Sequence, residues 1–278
     1  MRTAHRKGRK LEILPLALTI AAILIVTGAV IWYVRQPAPS DEADDDIPFD
    51  PDAVAIQFNT DDGWVIKGTY YRGNQSMPLV ILVPGVGEAR EAFGPLTDEL
   101  RAKAYNVLAY DPRGCGESSY QNGKKRTWEE LTDVDFQAGT KDVASAWQWA
   151  RSSFLSADKV AVIGASVGAN QALASTAAAD PVPELKALVL LSPGSRYKGI
   201  ESGPAIETLN NRTVRPAILF AASEADVNAG PATESLNQNY AGVKDIAMLT
   251  GGRHGTQLLT DPTFRTQTIQ FLDIAFKS

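Results

Sequence analysis

The chain is poor in the residues that most often announce chemistry. It has one cysteine, Cys115, so no intramolecular disulfide can form. In Gly114-Cys115-Gly116 that thiol reads as a small turn residue rather than a nucleophile. Histidines number two, His5 and His254, so any imidazole chemistry has few places to reside. Beyond the start of the chain positive charge is outnumbered by negative. Residues 1–35 carry a balance of +5 within a formal net charge of −5, which leaves −10 on the remainder. Such an acidic body argues against nucleic-acid binding, which depends on neutralising phosphates with Lys and Arg. No fixed-period repeat is present, which argues against a solenoid.

Apolar residues are not scarce. They make up 44% of the chain, enough for a sizeable core. The longest uncharged stretch is residues 13–34, 22 positions that follow a basic segment at 1–12 and end in Trp32 and Tyr33. A helix of that length spans roughly 33 Å at 1.5 Å per residue, enough for a bilayer core. The excess of basic residues before it predicts an uncleaved single-pass anchor with its amino terminus in the cytoplasm. The rest of the chain then lies outside the cytoplasm at the cell membrane; secretion after signal cleavage is the competing reading. Residues 35–52 are rich in proline and acid and read as a solvated linker.

From residue 53 to 278 strand and helix patterns alternate, which predicts one α/β domain with a mostly parallel central sheet and helices on both faces. Val54–Phe58 and Val65–Tyr71 flank the turn signal Thr60-Asp61-Asp62-Gly63 and read as a hairpin. Buried strands are expected at Leu79–Val83, Val107–Tyr110, Val160–Ile163, Ala187–Leu191, Ala217–Ala221 and Asp245–Leu249. Helices are expected at Glu91–Lys103, Phe136–Arg151, Asn170–Ala179, Ala232–Tyr240 and Thr263–Phe276.

One of those strands runs into Gly164-Ala165-Ser166-Val167-Gly168 and then into a helical pattern. A serine between glycines at a strand-to-helix turn is where a hydroxyl is exposed as a nucleophile. A serine hydroxyl needs a general base. His5 lies across the proposed membrane, which leaves His254, just after the last strand in Gly252-Arg253-His254-Gly255. A carboxylate must orient that imidazole. Glu224 and Asp226 both follow the strand at 217–221, and Asp226 is preferred. Asp111, Arg113 and Glu117 read as braces of the loop after a strand.

These stretches resemble the α/β-hydrolase family, close to its dienelactone-hydrolase and serine-aminopeptidase-like branch. The likeness covers about residues 54–278. It is carried by Gly164–Gly168, by Asp111-Pro112-Arg113-Gly114-Cys115-Gly116-Glu117-Ser118, by the acid loop Ser223–Asp226, by His254-Gly255 and by the Phe58–Gly68 hairpin. The resemblance implies a Ser166, Asp226, His254 triad and a serine hydrolase acting through an acyl-enzyme on a small-molecule ester or acyl substrate. It requires neither a metal nor an organic cofactor. It also implies an oxyanion hole made by the N–H groups of Val167 and Val86, with Pro84 standing where the family often has histidine. Only about 25 residues separate the strands at 187–191 and 217–221, so a minimal cap and an open site are expected, with Pro193 and Tyr197 lining the pocket. An exopeptidase, an acyltransferase of the same fold and a non-catalytic binding protein are the alternatives.

Overall fold

A computed structural model describes residues 50–277 apart from Gln75, 154–158 and 180–183. The expected membrane anchor and most of the linker therefore lie outside the described residues. Among the described residues no helix is long and apolar enough to cross a membrane. The compact unit spans Asp50–Ser278. Asp50–Asp52, which the sequence assigns to the linker, already make folded contacts. The Ala53 N–H donates to the Asp50 carbonyl at 3.1 Å, and the Asp50 carboxylate pairs with Arg101.

Strands β1 (Ala53–Asn59) and β2 (Trp64–Tyr71) form the expected antiparallel hairpin, in register from Ala53 opposite Tyr71 to Asn59 opposite Val65. Thr60 closes its turn by accepting the Trp64 N–H on its hydroxyl at 3.0 Å. There follow β3 (Leu79–Val83), helix α1 (Gly94–Ala102), β4 (Asn106–Tyr110), a small hairpin β5 (Tyr120–Gln121) and β6 (Lys124–Lys125), α2 (Asp133–Gln137) and α3 (Thr140–Ser152). Next come β7 (Val160–Ala165), α4 (Val167–Ala178), β8 (Leu185–Leu191), a second small hairpin β9 (Arg196–Tyr197) and β10 (Ile200–Glu201), and α5 (Gly203–Asn210). The chain finishes with β11 (Ala217–Ser223), α6 (Ala229–Asn239), β12 (Lys244–Leu249) and α7 (Pro262–Ala275).

Among the described residues ten strands form one sheet in the order β12-β11-β8-β7-β3-β4-β2-β5-β6, with β1 on β2. The six strands from β12 to β4 run parallel; the edge beyond β4 is antiparallel. The period of two in each strand splits the core between the faces. Ile81, Val83, Val162, Leu188, Leu190 and Phe220 pack under α3 to α6, and Val80, Leu82, Ile163, Val189, Leu191 and Leu219 pack under α1 and α7. Parallel strands buried on both sides explain why these segments read as unbroken apolar runs.

Two expected helices differ in the structure. The helix expected from Glu91 begins as a 3-10 turn at Arg90–Phe93, and α1 starts only at Gly94, because Pro95 lacks an N–H and belongs in a first turn. The single helix expected over Phe136–Arg151 is two, α2 and α3, with a break at Ala138-Gly139. The Gln171 amide fills the break and donates to the Phe136 carbonyl at 2.9 Å; a methyl group on Gly139 would stand 2.1 Å from its nitrogen. Neither small hairpin is among the expected elements, since two-residue strands carry no periodicity, and neither is α5.

The charged residues after β4 brace the loop. Asp111 accepts the N–H of Arg90 at 3.0 Å and of Glu117 at 2.9 Å. Arg113, 2% exposed, donates to Asp142 of α3 at 2.7 Å and to Asp62 of the first hairpin at 2.9 Å. Burial pushes the Asp142 carboxyl up and the guanidinium pulls against it; burial also works against the guanidinium, which its two carboxylates hold above its ordinary value. Arg113→Ala leaves Asp142 buried without its partner. The expected loss is about 3–5 kcal/mol, or a fall in Tm of roughly 8–15 °C in thermal unfolding. A fall of less than about 3 °C would show that water or another donor replaces the guanidinium.

Candidate active site

Parallel strands point their carboxyl ends to one rim, and loops on that rim line the crevice of an open α/β sheet. Ser166 follows β7 there, Asp226 follows β11 and His254 follows β12. Strand β7 ends and α4 begins with Ser166 between them, held at φ 53° and ψ −121°. That is a strained conformation for a side chain with a Cβ, of the kind found at functional turns. The glycines on either side make it possible. A methyl group on Gly164 would meet the Gly168 carbonyl at 2.4 Å, and one on Gly168 would meet the Pro84 carbonyl at 2.3 Å. The Ser166 N–H donates to the Leu191 carbonyl at 2.8 Å, which pins the turn to the neighbouring strand.

The three side chains meet. His254 Nε2 lies 2.8 Å from Ser166 Oγ, and His254 Nδ1 lies 2.5 Å from Asp226 Oδ2. Burial raises the Asp226 carboxyl, but the His254 hydrogen bond, the Ala229 and Asn228 N–H groups and the imidazole's field together hold it below the usual carboxylate range. A carboxylate only accepts, so Nδ1 carries the hydrogen, and Nε2 is left with a lone pair facing the serine hydroxyl. Asp226 Oδ1 accepts from the Ala229 N–H at 3.1 Å and from the Asn228 N–H at 3.4 Å. Glu224, the other candidate acid, is exposed on the same loop and its side chain takes no part.

Val167 is the first residue of α4, so its N–H has no helical acceptor and sits at the positive end of the helix dipole. Val86 lies in the loop after β3, half-buried against the core. Its neighbour Gly85 backs onto the serine: a methyl group there would stand 3.3 Å from Ser166 Cβ. Tyr197, on the β9–β10 hairpin, sets its ring edge-on to His254 with centroids 6.0 Å apart. Its phenol is buried without a hydrogen-bond partner, and burial together with the charge of Asp226 pushes it up to about 12. Pro193 is buried, between Ser192 and Gly194. Between β8 and β11 stand only the hairpin and α5, and the His254 side chain is 39% exposed.

Two further residues hold the rim. Ser192, at φ 51°, accepts the Gly255 N–H on its hydroxyl at 2.9 Å and so fixes the histidine loop. Asn170, buried on α4, accepts the Gly194 N–H at 3.0 Å and donates to the carbonyls of Gly194 and Ile200, which fastens the hairpin carrying Tyr197 to the helix that follows Ser166. Neither has a local sequence signal. Cys115 is buried and its thiol is pushed up to about 11, first by burial, so it remains a thiol. Among the described residues no group of His, Cys, Asp and Glu is placed to hold a metal ion.

Residues 74–219, just over half of the chain, match the serine aminopeptidase S33 family of hydrolases. The chain belongs to that family. The match includes the Ser166 turn and the Gly85–Gly87 loop, whereas Asp226 and His254 lie beyond it and rest on the geometry above. Two curated fungal proteins are similar over 124 residues. One is a polyketide transferase from a Penicillium species, 28% identical over 44% of this chain and 40% of the relative. The other is a polyketide transferase from Gibberella fujikuroi, 29% identical over 44% of this chain and 36% of the relative. The chain thus matches about two-fifths of the length of these relatives. Among solved structures, an esterase from Pyrococcus furiosus aligns with TM-score 0.64 at 16% identity, over 80% of this chain and 90% of its own. A dienelactone hydrolase from Anabaena variabilis aligns with TM-score 0.61 at 17% identity, over 81% and 96%. At that identity the likeness is one of fold. This S33-family chain is therefore an α/β-hydrolase with a mostly parallel sheet.

Proposed function

We propose that the protein is a serine hydrolase that cleaves small carboxylic esters by acyl transfer to water. The observation that carries the reading is the unbroken contact from Asp226 through His254 to Ser166, at 2.5 Å and 2.8 Å. Ser166 Oγ attacks the ester carbonyl carbon while His254 Nε2 takes its proton. Negative charge moves to the carbonyl oxygen, where the N–H groups of Val86 and Val167 receive it. The imidazolium returns its proton to the departing alkoxide, which leaves as an alcohol. Water then repeats the cycle: His254 takes its proton, the hydroxide oxygen bonds to the acyl carbon, and Ser166 leaves reprotonated. Asp226 keeps the ring in the productive tautomer and balances its charge. Each oxyanion donor of this kind contributes about 3–4 kcal/mol to lowering the barrier. Nothing in this sequence of steps requires a metal or an organic cofactor.

A second acceptor has support of its own. The curated relatives are polyketide transferases, and an acyl-enzyme at an open mouth can be taken by an alcohol as readily as by water. The uncharged residues 13–34 support a membrane tether, and the basic residues before them support an amino terminus in the cytoplasm with the remainder of the chain outside it.

The test combines a fluorophosphonate probe with p-nitrophenyl esters of increasing chain length, aminoacyl anilides and added alcohols. We expect labelling of Ser166 and turnover of short esters ahead of anilides. Transfer to alcohol in excess of hydrolysis assigns the transferase reading instead. Failure of the probe to label Ser166, with no turnover of any ester, defeats both and leaves a binding protein.

A further inference from the structure

We propose that Glu88 is a positioning residue that sets the oxyanion loop and the histidine loop at a fixed distance across Ser166; the inference rests on the acyl-transfer reading. The two loops are 168 residues apart in sequence and meet through this one side chain. Glu88 Oε2 accepts the N–H of Gly85 at 2.9 Å, inside the loop that carries Val86. Its other oxygen, Oε1, accepts the hydroxyl of Thr256 at 2.6 Å, two residues beyond His254. No other side-chain hydrogen bond joins these two loops among the described residues.

Both loops lie beside Ser166. A methyl group on Gly85 would stand 3.3 Å from Ser166 Cβ, and one on Gly255 would stand 3.6 Å from it. Both also turn on a glycine in the left-handed region, Gly87 at φ 73° and Gly255 at φ 57°. The histidine loop has a second fastening, the Gly255 N–H on Ser192. The oxyanion loop has Trp128 packed close to Gly87, so close that a methyl group on Gly87 would stand 3.1 Å from the indole. Neither of those contacts links one loop to the other. A transition state needs the Val86 donor and His254 Nε2 at the same moment, one on the oxyanion and one on the travelling proton. A displacement of about 1 Å between such groups costs on the order of 10²-fold in rate. Ground-state binding needs no such agreement.

Shape rather than charge carries the link. A glutamine carbonyl can accept the Gly85 N–H while its NH2 donates to the Thr256 hydroxyl, which accepts as well as donates. An alanine severs both contacts. Loss of the Thr256 hydroxyl severs one.

The experiment measures kcat and KM on a short p-nitrophenyl ester for the full chain and for Glu88→Ala, Glu88→Gln, Thr256→Val and the Glu88→Ala/Thr256→Val double variant. Glu88→Ala should lower kcat by about 10²-fold with KM changed less than about threefold. Glu88→Gln should recover most of that loss. Thr256→Val should cost about tenfold, and the double variant should be no worse than Glu88→Ala, because both remove one connection. A folded Glu88→Ala with kcat within about threefold of the parent overturns the proposal, and so does Glu88→Gln falling as far as Glu88→Ala. If Glu88→Ala does not fold, a Thr256→Val variant with the parent's kcat overturns it. Backbone hydrogen exchange separates this from the acyl-transfer reading. Should the parent show no turnover and no labelling of Ser166, that reading has failed, and the link is judged by exchange alone. Glu88→Ala must then speed exchange in both 84–89 and 251–257, and acceleration confined to one of them overturns it.

Discussion

Replacing Ser166 with alanine should abolish ester turnover, a fall of about 10⁴- to 10⁶-fold in kcat, while leaving the fold intact. Among the described residues the Ser166 side chain makes one hydrogen bond, to His254 Nε2, so its removal unsettles little else. In the acyl-transfer reading proposed above, what remains is the contribution of the proposed Val86 and Val167 donors and of substrate binding, which still accelerate attack by water directly. The backbone supplies a second readout. At φ 53° and ψ −121° Ser166 carries strain that alanine also carries, since both have a Cβ. Glycine does not. Relief of about 1–3 kcal/mol of strain outweighs the roughly 0.5–1 kcal/mol that glycine costs through the unfolded state. Ser166→Gly should therefore be as inactive as Ser166→Ala and yet melt at a higher temperature. Equal turnover in Ser166→Ala and the parent would remove the serine from the chemistry. Equal melting of the Gly and Ala variants would show that the turn is not strained.

That contrast illustrates what a linear sequence reveals and what it hides. Ser166, Asp226 and His254 were legible because each stands just past the end of an apolar run, and parallel strands bring their carboxyl ends to one rim whatever the loops do. Val167 follows directly from Ser166. The core strands were legible for the same reason, being buried on both faces and unbroken by polar residues. The supports of the site were not. Ser192 acts on Gly255, Asn170 on Gly194, and Glu88 on Thr256, through hydrogen bonds spanning 63, 24 and 168 residues. Such contacts leave no local period, and serine, asparagine and glutamate occur in loops for many reasons. The break before α3 was hidden likewise, because it depends on a glutamine from α4 rather than on the glycine alone.

The Asp226→Asn variant should lose about 10⁴-fold in kcat with little change in KM, although asparagine has almost the shape of aspartate. The reason lies in the other oxygen of the carboxylate. Oδ1 accepts the N–H groups of Ala229 and Asn228, so in the variant the amide oxygen must occupy that place. The NH2 group is then turned toward His254 Nδ1, 2.5 Å from where Oδ2 had been. Two donors cannot share that contact, so Nδ1 gives up its hydrogen and the ring carries it on Nε2. An imidazole protonated at Nε2 cannot take the proton of Ser166. Stability should change in a definite direction as well. The Asp226 carboxyl is held below its ordinary value, so its ionisation favours the folded state at pH above the ordinary carboxylate range, and that contribution fades only as pH falls through the lowered value. Asp226→Asn should lose this part of the pH dependence and be less stable than the parent at neutral pH. Glu224→Gln, a neighbour on the same loop with no contact to the ring, is the control and should keep kcat within about twofold. A fall of less than about tenfold in Asp226→Asn would mean that His254 keeps its tautomer without the carboxylate. The contact at 2.5 Å would then be a structural hydrogen bond, and Asp226 would have no part in the chemistry.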